Sequence, residues 1–522
     1  MPSPSADRLA ALCDGKPWDV LVIGGGASGL GAAVDAAARG YRTLLVEARD
    51  FASGTSSCST KLIHGGVRYL RQGDFALVSH ALHERSYLLA NASHLVHPLA
   101  FVIPAWGHGE RLLYGTGLKL YDLLAGRHGL AASASLNRQE VIAALPGLRS
   151  AGLRGGIRYW DGQFDDARLA VTLMRTAKDL GATCLNYLAV TRLLKRDGRI
   201  AGAVLRDAES GDEFEVQARV VINATGVHAD HVRQLDEPSV APLLTPSQGI
   251  HLVVDAGFLP GQQALMIPET EDGRVMFAIP WQGKVLLGTT DTPRPDLRQL
   301  DDPQPLGEEV DFLLRTVAGV LTQQPSRADI RSAFAGLRPL IHPQHASDRQ
   351  TTSALSREHA VMVSPNGLIT VAGGKWTTYR RMGEQVIDRA AQVAGLPRAP
   401  SMTRTLKLHG CPSTPCDDPL GTDAPRLAEL PGHDRQLHPA FPYSEARVRF
   451  AIRHEAARSI EDILARRTRA LFLDAKAAES CIERVGEILA EELSLSPERV
   501  QAMGDQARHS ARRFQLLLPD NP

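Results

Sequence analysis

Three glycines and one acid mark the first place where this chain can do chemistry. Gly24, Gly26 and Gly29 fall within Gly24-Gly25-Gly26-Ala27-Ser28-Gly29, directly after the apolar run Asp19-Val20-Leu21-Val22-Ile23 and before an Ala-rich stretch that stops at Gly40. Glycines let a backbone approach a pyrophosphate, and the helix that follows turns its N–H groups and positive dipole end toward the same anion. Glu47 closes a second short strand, Thr43-Leu44-Leu45-Val46, 23 residues beyond Gly24. That is near the spacing at which an acid accepts the hydroxyls of an adenosine ribose. A glycine-rich turn alone carries little. With strand, helix and acid all in place, the pattern predicts a dinucleotide site.

Two further junctions repeat the arrangement. Val220-Val221-Ile222 runs into Asn223-Ala224-Thr225-Gly226, and Leu368-Ile369-Thr370-Val371 runs into Ala372-Gly373-Gly374-Lys375, with a helix expected from about Thr377 to Ala394. Each reads as a buried strand ending in small residues that permit a ligand's approach, although Ala224-Thr225-Gly226 taken alone reads better as a plain tight turn. His251 lies on the alternating strand Ile250-His251-Leu252, so its side chain points opposite to its apolar neighbours. A lone histidine in such a setting is more often structural than catalytic.

The elements between these points choose the cofactor. No second strand–G-x-G-x-x-G–helix unit follows. A helical stretch, Asp74 to Asn91, and a hairpin-rich section interrupt the first unit. This layout suits a flavoprotein better than a simple NAD dehydrogenase. A helix capped by Asp165 and stopped at Gly181, a hairpin about Asp197-Gly198, and an antiparallel region from Ile250 to Thr290 are the other expected elements. Residues 396–440, rich in Pro, Gly, Asp and His, read as a linker, and 444–516 as helical, with Ser496-Pro497 opening the last helix.

Composition sets the bounds. The 522 residues imply more than one domain, and 58 basic against 58 acidic residues give no net charge. That argues against bulk electrostatic binding of nucleic acid. With 43% hydrophobic residues the chain can bury a real core, yet no run reaches the ~18 apolar residues of a spanning helix. Six scattered cysteines, and a start without the basic-then-apolar plan of a signal peptide, predict a cytoplasmic protein. His409, Cys411 and Cys416 have a metal-ligand flavour, but no second pair follows, so no metal is expected. Seven arginines between Arg447 and Arg469 read as a salt-bridged, solvated helix face.

The run Thr55-Ser56-Ser57-Cys58-Ser59-Thr60-Lys61-Leu62-Ile63-His64-Gly65-Gly66-Val67-Arg68-Tyr69-Leu70, with the nucleotide start, closely resembles the FAD-dependent (aerobic, respiratory) glycerol-3-phosphate dehydrogenases. Asp165-Asp166-Ala167-Arg168-Leu169, Asn223-Ala224-Thr225-Gly226, Gly288-Thr289-Thr290-Asp291, Gly336-Leu337-Arg338-Pro339-Leu340, Gly373 to Arg380, Arg453-His454-Glu455 and Glu461 to Thr468 agree with the same family, over about residues 18–516. The resemblance implies an α/β fold: a Rossmann-like FAD domain interleaved with an antiparallel β-sheet substrate cap, of the glycine and D-amino-acid oxidase kind, plus an α-helical C-terminal domain. The expected boundaries are a tail at 1–17, the oxidoreductase region at 18–395 (cap mainly 95–150 and 240–340), the linker, and the helical domain at 441–522.

It also implies oxidation of sn-glycerol 3-phosphate to dihydroxyacetone phosphate, with hydride passing to FAD and electrons to membrane quinone. The expected FAD contacts are Gly24, Gly26, Ser28, Gly29, Glu47, Thr55, Ser56, Ser57, Lys61, Leu62, His64, Gly65, Gly66, Ala224, Thr225, Gly226, Gly373, Gly374, Lys375 and Thr377. Arg68, Arg338 and Lys375 each follow a glycine turn and, with Tyr69 and Arg357, are the candidates for holding phosphate and alkoxide; arginine presents a planar fork of donors suited to it. The family match makes His251 the general base or hydroxyl-orienting group, with Arg338 and Lys375 beside it.

Two departures from the family pattern touch this neighbourhood: Val227-His228 where many members have Pro-Trp, and Ile250 where many have Ser or Thr before the histidine. They bear on fine specificity and the flavin environment. Quinone chemistry requires a membrane surface, and 111–124, basic-flanked and apolar-faced, is the candidate interfacial helix on the cytoplasmic face of the inner membrane; an ordinary core helix is the alternative. A homodimer is left open. The rival readings are a glycerol-3-phosphate oxidase that reduces O2 to H2O2 and a catalytically silent flavin-binding protein.

Overall fold

The computed structural model describes residues 9–13, 15–66, 73–107, 109–294, 300–342, 359–414 and 416–516. Two sheets organise the chain. In the first, strands Ile369–Ala372, Glu213–Asn223, Trp18–Ile23, Thr43–Val46 and Thr183–Leu185 lie side by side and parallel, with Ala360–Val363 antiparallel at one edge. Val20, Leu21, Val22, Leu44, Leu45, Val221 and Ile222 are fully buried or nearly so, as a sheet covered on both faces requires. Helices Ala27–Ala38 and Tyr379–Ala394 cover it, the second ending at left-handed Gly395. The hairpin Leu188–Arg196/Arg199–Asp207 turns at Asp197 and Gly198, both at positive φ, as a tight two-residue turn demands.

The second sheet is mainly antiparallel and has ten strands among the described residues. Its members come from 62–63, 96–164 and 244–341, so the cap is threaded through the nucleotide domain rather than appended to it. Strand Leu244–Asp255 is central, pairing along ten residues with Ser332–Ile341 and over 251–255 with Lys284–Gly288.

The C-terminal helices pack on this cap. Val448, Ile463, Leu464 and Phe472 share one core with Ile279, Trp281, Leu286 and Phe334. The arginine-dense segment is not a solvated face, contrary to its sequence pattern. Arg447, Arg449, Arg466, Arg467 and Arg469 are buried. Arg466 and Arg467 meet Asp50 of the nucleotide domain at 2.5 and 2.8 Å, and Glu455 meets Arg168 at 2.8 Å. The acids that neutralise these arginines lie up to some four hundred residues away, which local spacing cannot show. Residues 396–440 are irregular but packed: Leu408 and Leu420 are buried, and Asn91 donates to Arg404 O at 3.0 Å. His409 pairs with Asp179 and Asp423 at 2.5 and 2.9 Å.

Candidate active site

The strand ends predicted to approach a ligand meet at one cavity of about 700 Å³ between the two sheets. Gly24, at φ 111°, sits so close to the neighbouring strand end that a β-carbon would lie 2.6 Å from Ala224 O. A β-carbon on Gly26 would lie 3.0 Å from Ser56 Oγ, and that hydroxyl accepts from Ala27 N at the helix start. Side chains at these glycines would fill the trough along which a pyrophosphate must pass. Glu47 accepts from Gly25 N at 2.6 Å and Arg49 N at 2.9 Å, holding the glycine loop as well as facing the cavity; burial raises its carboxyl above the usual range.

Trp376 Nε1 donates to Ser56 O at 2.8 Å, and Thr377 Oγ1 bridges the His64 backbone. Thr55 donates to Leu337 O at 2.6 Å, tying the nucleotide side to the cap strand next to Arg338. Gly24, Gly26, Ser28, Glu47, Thr55, Ser56, Leu62, His64, Gly66, Ala224, Thr225, Gly226, Gly373, Gly374, Lys375 and Thr377 all line the cavity.

Four expected contacts are not brought to it. Gly29 lets helix and strand close-pack, a β-carbon there falling 1.9 Å from Gly24 O. Gly65 N donates to Tyr121 Oη on the far side of its strand. Ser57 gives its carbonyl to Lys61 and Arg469. Lys61 turns inward because its own φ is 62°; it is fully buried and ion-paired with Asp166 at 2.7 Å. Burial draws its ammonium down to about 8, against the pull of Asp166. Arg68, Tyr69 and Arg357 lie outside the described residues.

His251 and Arg338 enter from neighbouring cap strands. His251 is 2% exposed, stacks on Phe334 (5.1 Å between centroids), and shares a 2.9 Å hydrogen bond between Nε2 and Thr60 Oγ1. Burial, then the charges of Lys61 and Arg338, lower its pKa well below 6.5. The ring is therefore neutral, with a lone pair free of its own proton, while the same burial and cations disfavour the imidazolium form. Arg338 is held by Thr289 Oγ1, Thr290 O and Gln248 O at 2.9–3.2 Å and by Asp291 at 3.3 Å.

Among the cavity residues that sequence reasoning missed are Thr60 and Arg274. Thr60 sat within the diagnostic run but had no assigned role. Arg274, on the turn Asp272-Gly273-Arg274, lines the cavity with Nη1 unpartnered while Asp272 holds Nε at 2.7 Å. The departure His228 also lines the cavity, 3.3 Å from Asp301.

A nucleotide cradle joined to a cap that presents a neutral histidine and cations defines an FAD-dependent oxidoreductase. Residues 19–380 match the family described as DAO, FAD dependent oxidoreductase, and residues 419–500 that described as the C-terminal domain of alpha-glycerophosphate oxidase. A probable mitochondrial glycerol-3-phosphate dehydrogenase of Caenorhabditis elegans is 38% identical over 542 residues, 96% of this chain and 74% of its own. The glycerol-3-phosphate dehydrogenase from Bacillus halodurans, solved in complex with FAD, aligns over 100% of both chains with a TM-score of 0.77 and 28% identity. The L-alpha-glycerophosphate oxidase of Mycoplasma pneumoniae shares the fold, with a TM-score of 0.57 at 16% identity over 74% of this chain and 96% of its own. The chain belongs to the glycerol-3-phosphate dehydrogenase family, and its cofactor is FAD.

Proposed function

We propose that this protein oxidises sn-glycerol 3-phosphate to dihydroxyacetone phosphate and passes the electrons to a membrane quinone. The observation that carries the reading is His251: a buried, neutral imidazole sharing a cavity with Arg338, Lys375 and the glycine cradle. FAD, held along Gly24, Gly26, Ser56 and Glu47, would supply the two-electron acceptor for the C2 hydride and the redox link to quinone.

The protein's own groups do the rest. Arg338, Lys375 and Arg274, with Arg68, Tyr69 and Arg357 as further candidates, neutralise a phosphate dianion. His251 takes the C2 hydroxyl proton as C2–H leaves as hydride, so the alcohol loses one proton and one hydride. Lys375 stabilises the negative charge that grows on the C2 oxygen. On this reading residues 18–395 are the catalytic region and 441–522 a helical domain docked on it.

Support for a membrane surface comes from helix Glu110–Ala125. Leu112, Leu113 and Leu123 are 78, 70 and 75% exposed, with Lys119 and Arg127 exposed nearby. Such a helix suits the headgroup boundary of a bilayer. No helix among the described residues is long and apolar enough to cross one. We place the protein as peripheral, on the cytoplasmic face of the inner membrane.

The test is spectroscopic. Anaerobic sn-glycerol 3-phosphate, but not NADH, bleaches the flavin band, and a quinone analogue restores it. Peroxide formed in step with substrate loss, without quinone, assigns an oxidase instead. A flavin that stays oxidised under saturating substrate assigns a silent binding protein.

A further inference from the structure

Among the described residues none of the C-terminal domain lines the cavity, yet the domain reaches the loop that forms one wall. Arg469 is 2% exposed and sits at a left-handed backbone position, φ 61°. Its Nη2 donates to Ser57 O at 2.8 Å and to Asp166 Oδ1 at 3.2 Å. The other oxygen of the fully buried Asp166 accepts from Ser59 N at 3.0 Å, Ser59 Oγ at 2.7 Å and Lys61 Nζ at 2.7 Å. Lys61 closes the ring by donating to Ser57 O at 2.7 Å.

Segment 57–61 is thus tied at Ser57, Ser59 and Lys61 to one carboxylate and one guanidinium. Between two of those anchors stands Thr60, whose hydroxyl is the hydrogen-bond partner of His251. An apolar route runs in parallel. Arg469 lies 3.8 Å over the Phe472 ring, Phe472 packs on Phe334 at 4.7 Å, and Phe334 stacks on His251.

We propose that Arg469 is a positioning residue for substrate oxidation: through Asp166 the C-terminal domain fixes the 57–61 loop, and with it the Thr60 hydroxyl that sets the ring plane and tautomer of His251. The inference rests on the reading of His251 as base. It gives the helical domain a task that its position outside the cavity conceals. Among the described residues the charged groups that face His251 are Lys61 and Arg338; its neighbours Thr60, Phe334 and Gly288 carry no charge.

The experiment uses full-length FAD-bound protein and stopped-flow anaerobic reduction by sn-glycerol 3-phosphate, across the pH range where histidine titrates. Arg469→Gln and Thr60→Val are each expected to slow limiting flavin reduction by roughly tenfold or more, because a displaced reacting group costs at least that. Half-saturation by substrate stays within about twofold, since the phosphate clamp is untouched. The acid limb of the rate profile shifts in both variants, and Arg469→Lys recovers part of the rate. Combined, the two changes do no worse than either alone, because they act on one ring.

Wild-type reduction per bound FAD in Arg469→Gln, or multiplicative losses in the double variant, overturns the proposal. If Arg469→Gln does not fold, Thr60→Val with its serine counterpart decides, because it leaves the Asp166 cluster intact: wild-type reduction in Thr60→Val overturns the proposal, and a loss regained in Thr60→Ser upholds it. His251→Ala separates the two claims. A slow His251→Ala beside normal Arg469→Gln and Thr60→Val refutes the positioning role alone. A normal His251→Ala refutes the base and the route to it together.

Discussion

Gly288 stands directly opposite His251 on the adjacent strand, and the imidazole leans over it: a β-carbon on Gly288 would lie 2.2 Å from His251 Cδ2. The ring has Phe334 on one side and the bare backbone of Gly288 on another, so its placement needs a residue without a side chain here. Gly288→Ala is therefore expected to push the imidazole out of line. Flavin reduction falls by roughly a hundredfold, as for an ångström-scale displacement of a reacting group, while bound FAD is retained. Stopped-flow reduction normalised to flavin absorbance checks this.

Gly249 does the same for the cation. Its β-carbon would meet Arg338 Nη2 at 2.2 Å and Thr289 Oγ1 at 2.6 Å. Gly249→Ala is expected to dislodge the guanidinium from its carbonyl and threonine partners. The rise in KM for sn-glycerol 3-phosphate should be about tenfold or more, with a smaller change in kcat, because a charged hydrogen bond to phosphate is worth ~1.5–3 kcal/mol. Steady-state kinetics with a quinone analogue measures the split.

The arginine seam predicts a stability effect far from the chemistry. Asp50 is fully surrounded, and against the opposing effect of burial the Arg467 and Arg466 guanidiniums hold its carboxyl below the usual carboxylate range. Asp50→Asn takes from buried Arg467 its carboxylate partner, while Arg466 keeps Glu461 and Asp462. Such a break costs about 3–5 kcal/mol. Urea unfolding followed by tryptophan fluorescence should show a lower midpoint, with the C-terminal domain loosening first in limited proteolysis.

Acid should destabilise the protein through its histidines. His251 is held neutral as described, and burial with Arg168 close by takes His94 down to about 4. An unfolded chain protonates both near 6.5, so below that value the unfolded state binds more protons. The stabilising contribution is complete above about pH 6.5 and is lost as pH falls toward the folded values, at most ~1.4 kcal/mol per pH unit per histidine. Thermal melts between neutral and mildly acidic pH should show this decline, and His94→Gln should flatten part of it.

The exposed leucines predict a membrane effect. Leu112→Asp with Leu123→Asp is expected to lower the partition constant onto anionic phospholipid vesicles by about a hundredfold or more, since each removes apolar surface worth ~1.5–3 kcal/mol on burial. Anaerobic flavin reduction by substrate should not change, because neither leucine lines the cavity. Unchanged vesicle binding removes this helix from the membrane reading.

The sequence by itself determined the nucleotide half of the site. Strand, Gly24-x-Gly26, helix and Glu47 are neighbours along the chain, and the glycine turn, helix start and strand end that a pyrophosphate needs are all local devices. Family-like segments then carried His251, Arg338 and Lys375 to the cavity that the structure shows. Only the tertiary structure decided what stands behind them. Lys61 reads from its motif as an FAD contact but turns inward, away from the cavity, where Asp166, 105 residues on, is its partner. Arg466, Arg467 and Arg469 belong to a segment that resembles a solvated face but are buried, because Asp50 and Asp166 meet them across the domain boundary. Buried charge is tolerable only when its counter-charge is present, and which counter-charge that is depends on how distant segments pack rather than on spacing along the chain.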